Sequence, residues 1–138
     1  MSKKRDGLWV AAQFALFAVI AASWFVGPPV SRLGLAPTVV GIALVVWAGR
    51  TMGRSLTPFP TPPVDARLVQ GGPFRFVRHP IYLGGTLVFG GLSLVFSAWS
   101  LVLTGLLAIF WIAKARHEER LLLERFPEYA QYRRGTLL

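Results

Sequence analysis

The chain has no cysteine and only two histidines among its 138 residues. The first absence excludes disulfides, thiolate metal sites and a cysteine nucleophile. Acidic residues are scarce too, six against fifteen Lys and Arg, and no set of nucleophile, base and orienter for hydrolysis can be assembled. His79, His117, Glu118 and Glu119 could each bind zinc, but without an HExxH spacing or any cysteine they form no zinc motif, and no metal is expected. Charged residues make up only 15% of the chain, fewer than in an ordinary soluble domain, and no internal repeat is visible.

What fills the chain instead is apolar sequence, 54% of residues, gathered into blocks. Leu8 to Gly27 carries no charge and, as a helix, would be about 30 Å long, the thickness of a hydrocarbon core. Leu35 to Gly49 is a second block; Pro37 suits a first helical turn, and Arg50 and Arg54 can snorkel, so a span reaching Gly53 is expected. Ile81 to Ala113 is 33 uncharged residues, enough for two spans of about 17 each if a tight turn falls at Ser97-Ala98-Trp99-Ser100. The pattern predicts an all-α integral membrane protein forming one domain over residues 1–138. It has four transmembrane helices at about 8–27, 36–53, 80–97 and 100–116. The last two form a tight hairpin, and the fourth continues as a cytoplasmic helical extension.

Charge placement gives an orientation. With the N-terminus inside, Lys3, Lys4 and Arg5, the loop 54–79 with Arg50 just before it, and the tail 117–138 with Lys114 and Arg116 just before it lie in or near the cytoplasm. Fourteen of the fifteen cations collect on that side, leaving only Arg32 outside. The expectation is a multi-pass protein with both termini cytoplasmic. Its net charge of +9 then follows from topology and anionic membrane lipids, with no nucleic-acid partner. Lys3-Lys4-Arg5 and the small residues Ala21-Ala22-Ser23 also suggest a signal peptide, but the apolar stretch runs past that point and favours a retained anchor.

Two polar clusters bracket the third block. Leu56-Thr57-Pro58-Phe59-Pro60-Thr61-Pro62-Pro63 favours an extended path, either a stiff connector or the wall of a cytoplasmic pocket. Beyond it comes Arg78-His79-Pro80-Ile81-Tyr82-Leu83-Gly84, in which Pro80 opens a helix and His79 takes the cap position. The exposed N–H groups of that helix, beside Arg78 and Arg75, make a site for a carboxylate or phosphate. At the other end, Lys114-Ala115-Arg116-His117-Glu118-Glu119 follows the last apolar run. Adjacent glutamates point about 100° apart on a helix, so at most one faces a small site. A hairpin returns His79 and Glu118 to the same membrane face and predicts one shared site.

Taken in order, Gly72-Pro73-Phe74, Arg78 to Gly84, Glu118-Glu119-x-x-Leu122, Phe126 and Tyr129-x-x-Tyr132 resemble the isoprenylcysteine carboxyl methyltransferase family, which is related to the membrane phospholipid N-methyltransferases. The resemblance covers roughly residues 56–134. It implies an S-adenosylmethionine-dependent methyltransferase whose lipid or lipidated substrate enters from the bilayer. By position, cofactor contacts would fall on Ala66, Arg67, Leu68, Val69, Phe74, His79, Pro80, Ile81, Tyr82 and Glu118. The family's substrate-side Arg falls on Lys114, while Arg78 and His79 are candidates for a catalytic role. Three departures stand out: Phe74 lacks the hydroxyl of the Tyr often found there, Lys114 lacks a bidentate fork, and Phe126-Pro127-Glu128-Tyr129 is one residue tighter than usual. A nicotinamide-dependent reductase sharing the Arg-His-Pro-x-Tyr element and a non-catalytic small membrane subunit are the competing readings.

Overall fold

The computed structural model describes residues 2–137; Met1, and Leu138 at the end of the expected tail, lie outside the described residues. The described chain folds as α1 (Ser2–Ser23), α2 (Leu35–Met52), α3 (Pro80–Phe96), α4 (Ala98–Arg125) and α5 (Tyr129–Arg134), with short 3-10 turns at Arg32–Gly34, Gly53–Ser55 and Gly72–Arg75. Three helices, α1, α2 and α4, are long and apolar enough to cross a membrane. The third expected span, α3, has 17 residues and a length of about 25 Å, short of a full hydrocarbon core. Outward faces are apolar throughout, with Phe14, Val19, Val39, Val40, Ile109 and Ile112 all exposed.

The boundaries differ from the expected ones for local reasons. α1 begins upstream of Leu8 and stops at Ser23, whose hydroxyl turns back to the Ile20 carbonyl at 2.6 Å; the expected final turn, Trp24 to Gly27, is non-helical and ends on Gly27 at φ 89°. The link between α3 and α4 is tighter than the four residues foreseen, because Ser97 alone is extended and α4 already starts at Ala98. The α1–α2 connection takes up backbone groups left over at this junction. Leu94 O accepts from Val30 N and Ser31 N at 2.9 and 2.8 Å, and Ala98 N donates to Pro28 O at 3.0 Å. The helical extension expected beyond Arg116 is present: α4 runs on to Arg125, 28 residues or about 42 Å.

Neighbouring helices alternate in direction. Gly34 meets Gly91 and Gly41 meets Gly84 between α2 and α3, Ser93 meets Thr104 and Tyr82 meets Glu118 between α3 and α4, and Trp9 meets His117 while Gln13 meets Lys114 between α1 and α4. The starts of α1 and α3 and the last turns of α2 and α4 therefore share one end of the bundle. Small residues let α2 and α3 touch backbone to backbone, the packing mode suited to lipid, where apolar side chains gain little by leaving one apolar medium for another. A Cβ on Gly41 would meet Val88 N at 2.8 Å and Leu87 Cβ at 2.9 Å. Gly105 on α4, by contrast, has nothing within 4 Å. Gly41→Ala is expected to destabilise the purified protein by about 1–3 kcal/mol, while Gly105→Ala changes stability by less than about 0.5 kcal/mol. Thermal unfolding in detergent compares the two.

Candidate active site

Residues 53–79 fold over the shared end and are fastened from below. Ser55 Oγ accepts from Arg67 N at 3.1 Å, Lys114 Nζ donates to Pro58 O at 2.7 Å, and the Arg125 guanidinium holds the carbonyls of Pro62 and Val64. Tyr132 donates to Phe74 O at 2.7 Å from α5. Burial is the main influence on the Tyr132 phenol and pushes it up to about 12, against the nearby Arg78 cation, so it stays a donor at physiological pH. The proline-rich stretch thus forms a wall, and beneath it lies a cavity of about 360 Å³.

The residues to which the resemblance assigned cofactor and substrate contacts, together with Arg78, border this cavity from different elements. Ala66, Leu68 and Val69 line it from the half-buried strip of the loop, and Arg67 joins them although it is otherwise exposed. Phe74 is buried on the next turn, held by the carbonyl contact to Tyr132. Arg78, His79, Pro80, Ile81 and Tyr82 enter at the start of α3, and Lys114 and Glu118 come from one face of α4. Arg75, expected beside Arg78, is exposed and lies 6.0 Å over the Phe76 ring instead.

The chemistry divides between the two glutamates. Glu118 borders the cavity; its Oε1 accepts from the Tyr82 hydroxyl at 2.6 Å and lies 3.9 Å from Lys114 Nζ, and its Oε2 is 3.8 Å from His79 Nδ1. Glu119, buried, turns to the other side and takes Arg78 Nε at 2.7 Å, His79 Nε2 at 3.1 Å and Arg133 Nε at 3.5 Å. Both face polar partners, but only Glu118 borders the cavity. His79 occupies the cap position of α3 without a side-chain cap bond; its ring lies between the two carboxylates. Arg78 is a strut more than an open anion site, since its Nη1 also reaches Arg133 O at 3.2 Å and Thr136 O at 2.9 Å. Its backbone joins in, with Arg78 N donating to Leu137 O at 3.0 Å.

Aromatic faces complete the inner wall. His79 stacks on Tyr82 at 5.6 Å and Tyr82 on Trp111 at 5.3 Å, with Lys114 Nζ 5.5 Å over the Tyr82 ring. Sequence reasoning missed Gln13 of α1, which borders the cavity and whose Oε1 accepts from Trp111 Nε1 at 3.1 Å and Lys114 Nζ at 2.9 Å. A lone amide within an otherwise uncharged, apolar run was the available signal. Glu119 as the brace for Arg78 and His79, and Tyr129, buried at the cavity edge, were also missed; only the side-by-side glutamates hinted at the first.

Removing the Glu119 carboxylate strands Arg78 and loosens the tail that it and Arg133 hold. In Glu119→Ala, tryptic cleavage at Arg133 and Arg134 should accelerate by roughly tenfold, because local opening there costs less. The exposed Glu124→Ala should leave the cleavage rate unchanged, and time courses followed by mass spectrometry compare them.

A profile of the phospholipid methyltransferase family matches residues 30–129. The chain is similar to the cobalt-zinc-cadmium resistance protein CzcN of Cupriavidus metallidurans, with 32% identity over 99% of this chain and 63% of that protein. It is likewise similar to the nickel-cobalt-cadmium resistance protein NccN of Alcaligenes xylosoxydans xylosoxydans, with 26% identity over 99% of this chain and 64% of that one. The chain therefore spans just under two thirds of the length of these relatives. No solved structure matches it. The matched region runs from the turn before α2 to Tyr129 and so contains the loop wall, the start of α3 and the Glu118 face of α4, which places the chain in the phospholipid methyltransferase family.

Proposed function

We propose that the chain is an S-adenosylmethionine-dependent membrane methyltransferase acting on a lipophilic acceptor, with carboxyl O-methylation of the isoprenylcysteine type as the nearest chemistry. One observation carries the reading. A carboxylate, an ammonium and stacked aromatic faces converge on a cavity at the end of the bundle where loop 53–79, α3 and α4 meet. Its volume of about 360 Å³ falls in the range of small-molecule sites. The donor set fits a zwitterionic sulfonium nucleoside, because Glu118 can accept from an ammonium or ribose hydroxyls and the Tyr82 and His79 faces suit an aromatic or cationic group. When bound, that cofactor supplies an activated methyl group.

The remaining work is positioning. Ala66 to Val69 and Phe74 shape the loop side, His79, Pro80, Ile81 and Tyr82 the α3 side, and Lys114 holds the acceptor near the α1 seam. Arg78 keeps the α3 start fixed against Glu119. An ionised oxygen acceptor needs no general base, so alignment and charge complementarity suffice for an in-line displacement. The family's name favours a second reading, methylation of a phospholipid amine, in which Glu118 or His79 would also take a proton. The metal-resistance names belong to the two relatives, and the reading here rests on the cavity and the family match instead.

In membrane terms, α3 is the third of four spans, with α3 and α4 forming a hairpin and the last turns of α4 projecting into the cytoplasm with both termini. The short α3 is accommodated by local thinning and by snorkelling of flanking residues. The fourteen-to-one split of cations supports this orientation.

Titration calorimetry with S-adenosylhomocysteine should show binding to the purified protein. His79→Ala and Glu118→Ala should each weaken it by about tenfold or more, and Glu124→Ala should not. A labelled-methyl assay on a membrane lipid extract should yield a labelled lipid. Folded protein that binds no S-adenosylhomocysteine in either detergent or lipid would sink the proposal and leave a non-catalytic subunit.

A further inference from the structure

Gln13 lies on α1, outside the region that matches the family, yet it borders the same cavity and is only 8% exposed. Its orientation is fixed by chemistry. An indole N–H and an ammonium are both donors only, so the amide atom that faces Trp111 and Lys114 has to be the oxygen. The amide nitrogen then points the other way. Among the described residues it has no hydrogen-bond partner, and it is not among the polar atoms sealed from solvent.

Two amide N–H donors on a residue that borders the cavity are left without a protein acceptor among the described residues, and an amide in a membrane segment is seldom without a partner. Lys114 adds to the same spot. Two of its three ammonium donors go to Gln13 and Pro58, leaving one, and the nearest carboxylate oxygen, on Glu118, is 3.9 Å away. Two amide N–H groups and one ammonium donor, the last with only an ion pair to Glu118 at 3.9 Å, leave room for an oxygen acceptor at this spot.

Resting on the methyltransferase reading above, we propose that Gln13 is a specificity-determining residue: its amide N–H groups, beside Lys114, bind an anionic oxygen group of the lipophilic methyl acceptor. A fatty carboxylate and a lipid phosphate share this chemistry. Selection of the acceptor would thus depend on a helix that lies outside the family match.

Gln13→Glu separates reading from scaffolding. It keeps an oxygen for Trp111 and Lys114 but removes both donors and adds negative charge. Native mass spectrometry of the full chain, released from detergent with oleate, phosphatidic acid, oleyl alcohol or diacylglycerol, measures the effect. Wild type should retain oleate or phosphatidic acid at least about tenfold better than its neutral counterpart, and which of the two wins identifies the source. Gln13→Glu should lose that preference while remaining folded by circular dichroism and still binding S-adenosylhomocysteine measurably. Should the variant not fold, the wild-type Gln13 side-chain amide signal is followed by NMR, assigned by elimination with the exposed Gln70→Glu and Gln131→Glu; it should shift on addition of the preferred anion. Equal anion binding by a folded Gln13→Glu, no anion preference in wild type, or an unmoved amide signal each overturns the inference. Failure of S-adenosylhomocysteine to bind would instead strike the methyltransferase reading.

Discussion

An ammonium group sealed inside a helical bundle is the constraint on which the site depends. Lys114 is fully buried, and such a charge is tolerated only when its donors are met. Two of its three donors go to carbonyl oxygens, one of Gln13 on α1 and one of Pro58 in the loop, and the Glu118 carboxylate lies 3.9 Å away. Residues 13, 58 and 114 are thereby drawn to a single point, which seats the first helix and the proline-rich wall against α4. The departure from Arg at this position has a local reason. A compact ammonium suits two separate carbonyls at 2.7 and 2.9 Å, whereas a guanidinium is a planar fork matched to carboxylate or phosphate.

Glu118 and Glu119 show how neighbouring residues of one type take different roles. The helix sends one carboxylate to the cavity and the other to Arg78, so the brace and the cavity-facing acid are separate groups. His79 couples them, its ring 3.1 Å from one carboxylate and 3.8 Å from the other. Tyr82 is fixed in turn by its hydroxyl on Glu118 and its face on Trp111. The start of α3 is consequently oriented by side chains from α4, with no side-chain cap bond of its own.

Much of this was legible in the sequence because it depends on local pattern. Uncharged runs gave the helices, Pro80 the start of α3, and the two polar clusters the cavity walls. What could not be read depends on long-range contacts. Whether Arg78 is open or committed is decided by Glu119 and by carbonyls near the C-terminus, 41 to 58 residues away. The single-residue turn at Ser97 works because the α1–α2 connection supplies partners for its backbone, which no count of apolar residues reveals. Gln13 was overlooked because one amide barely alters an apolar run, although its neighbours in space make it the most connected polar group of α1.

Two kinds of packing meet at the site and constrain it differently. α2 and α3 touch through glycine backbones, which leaves their spacing little room to vary. α1 meets α4 through side chains instead, Trp9 on His117, Gln13 on Lys114 and Phe17 on Trp111. Side-chain contacts can rearrange with rotamer changes at modest cost, whereas a backbone contact cannot. His79 and Tyr82 sit on the rigid pair and Gln13 on the adaptable helix. A cavity built this way holds one wall constant while the α1 seam can change with sequence, so the proposed cofactor side and acceptor side are physically separable.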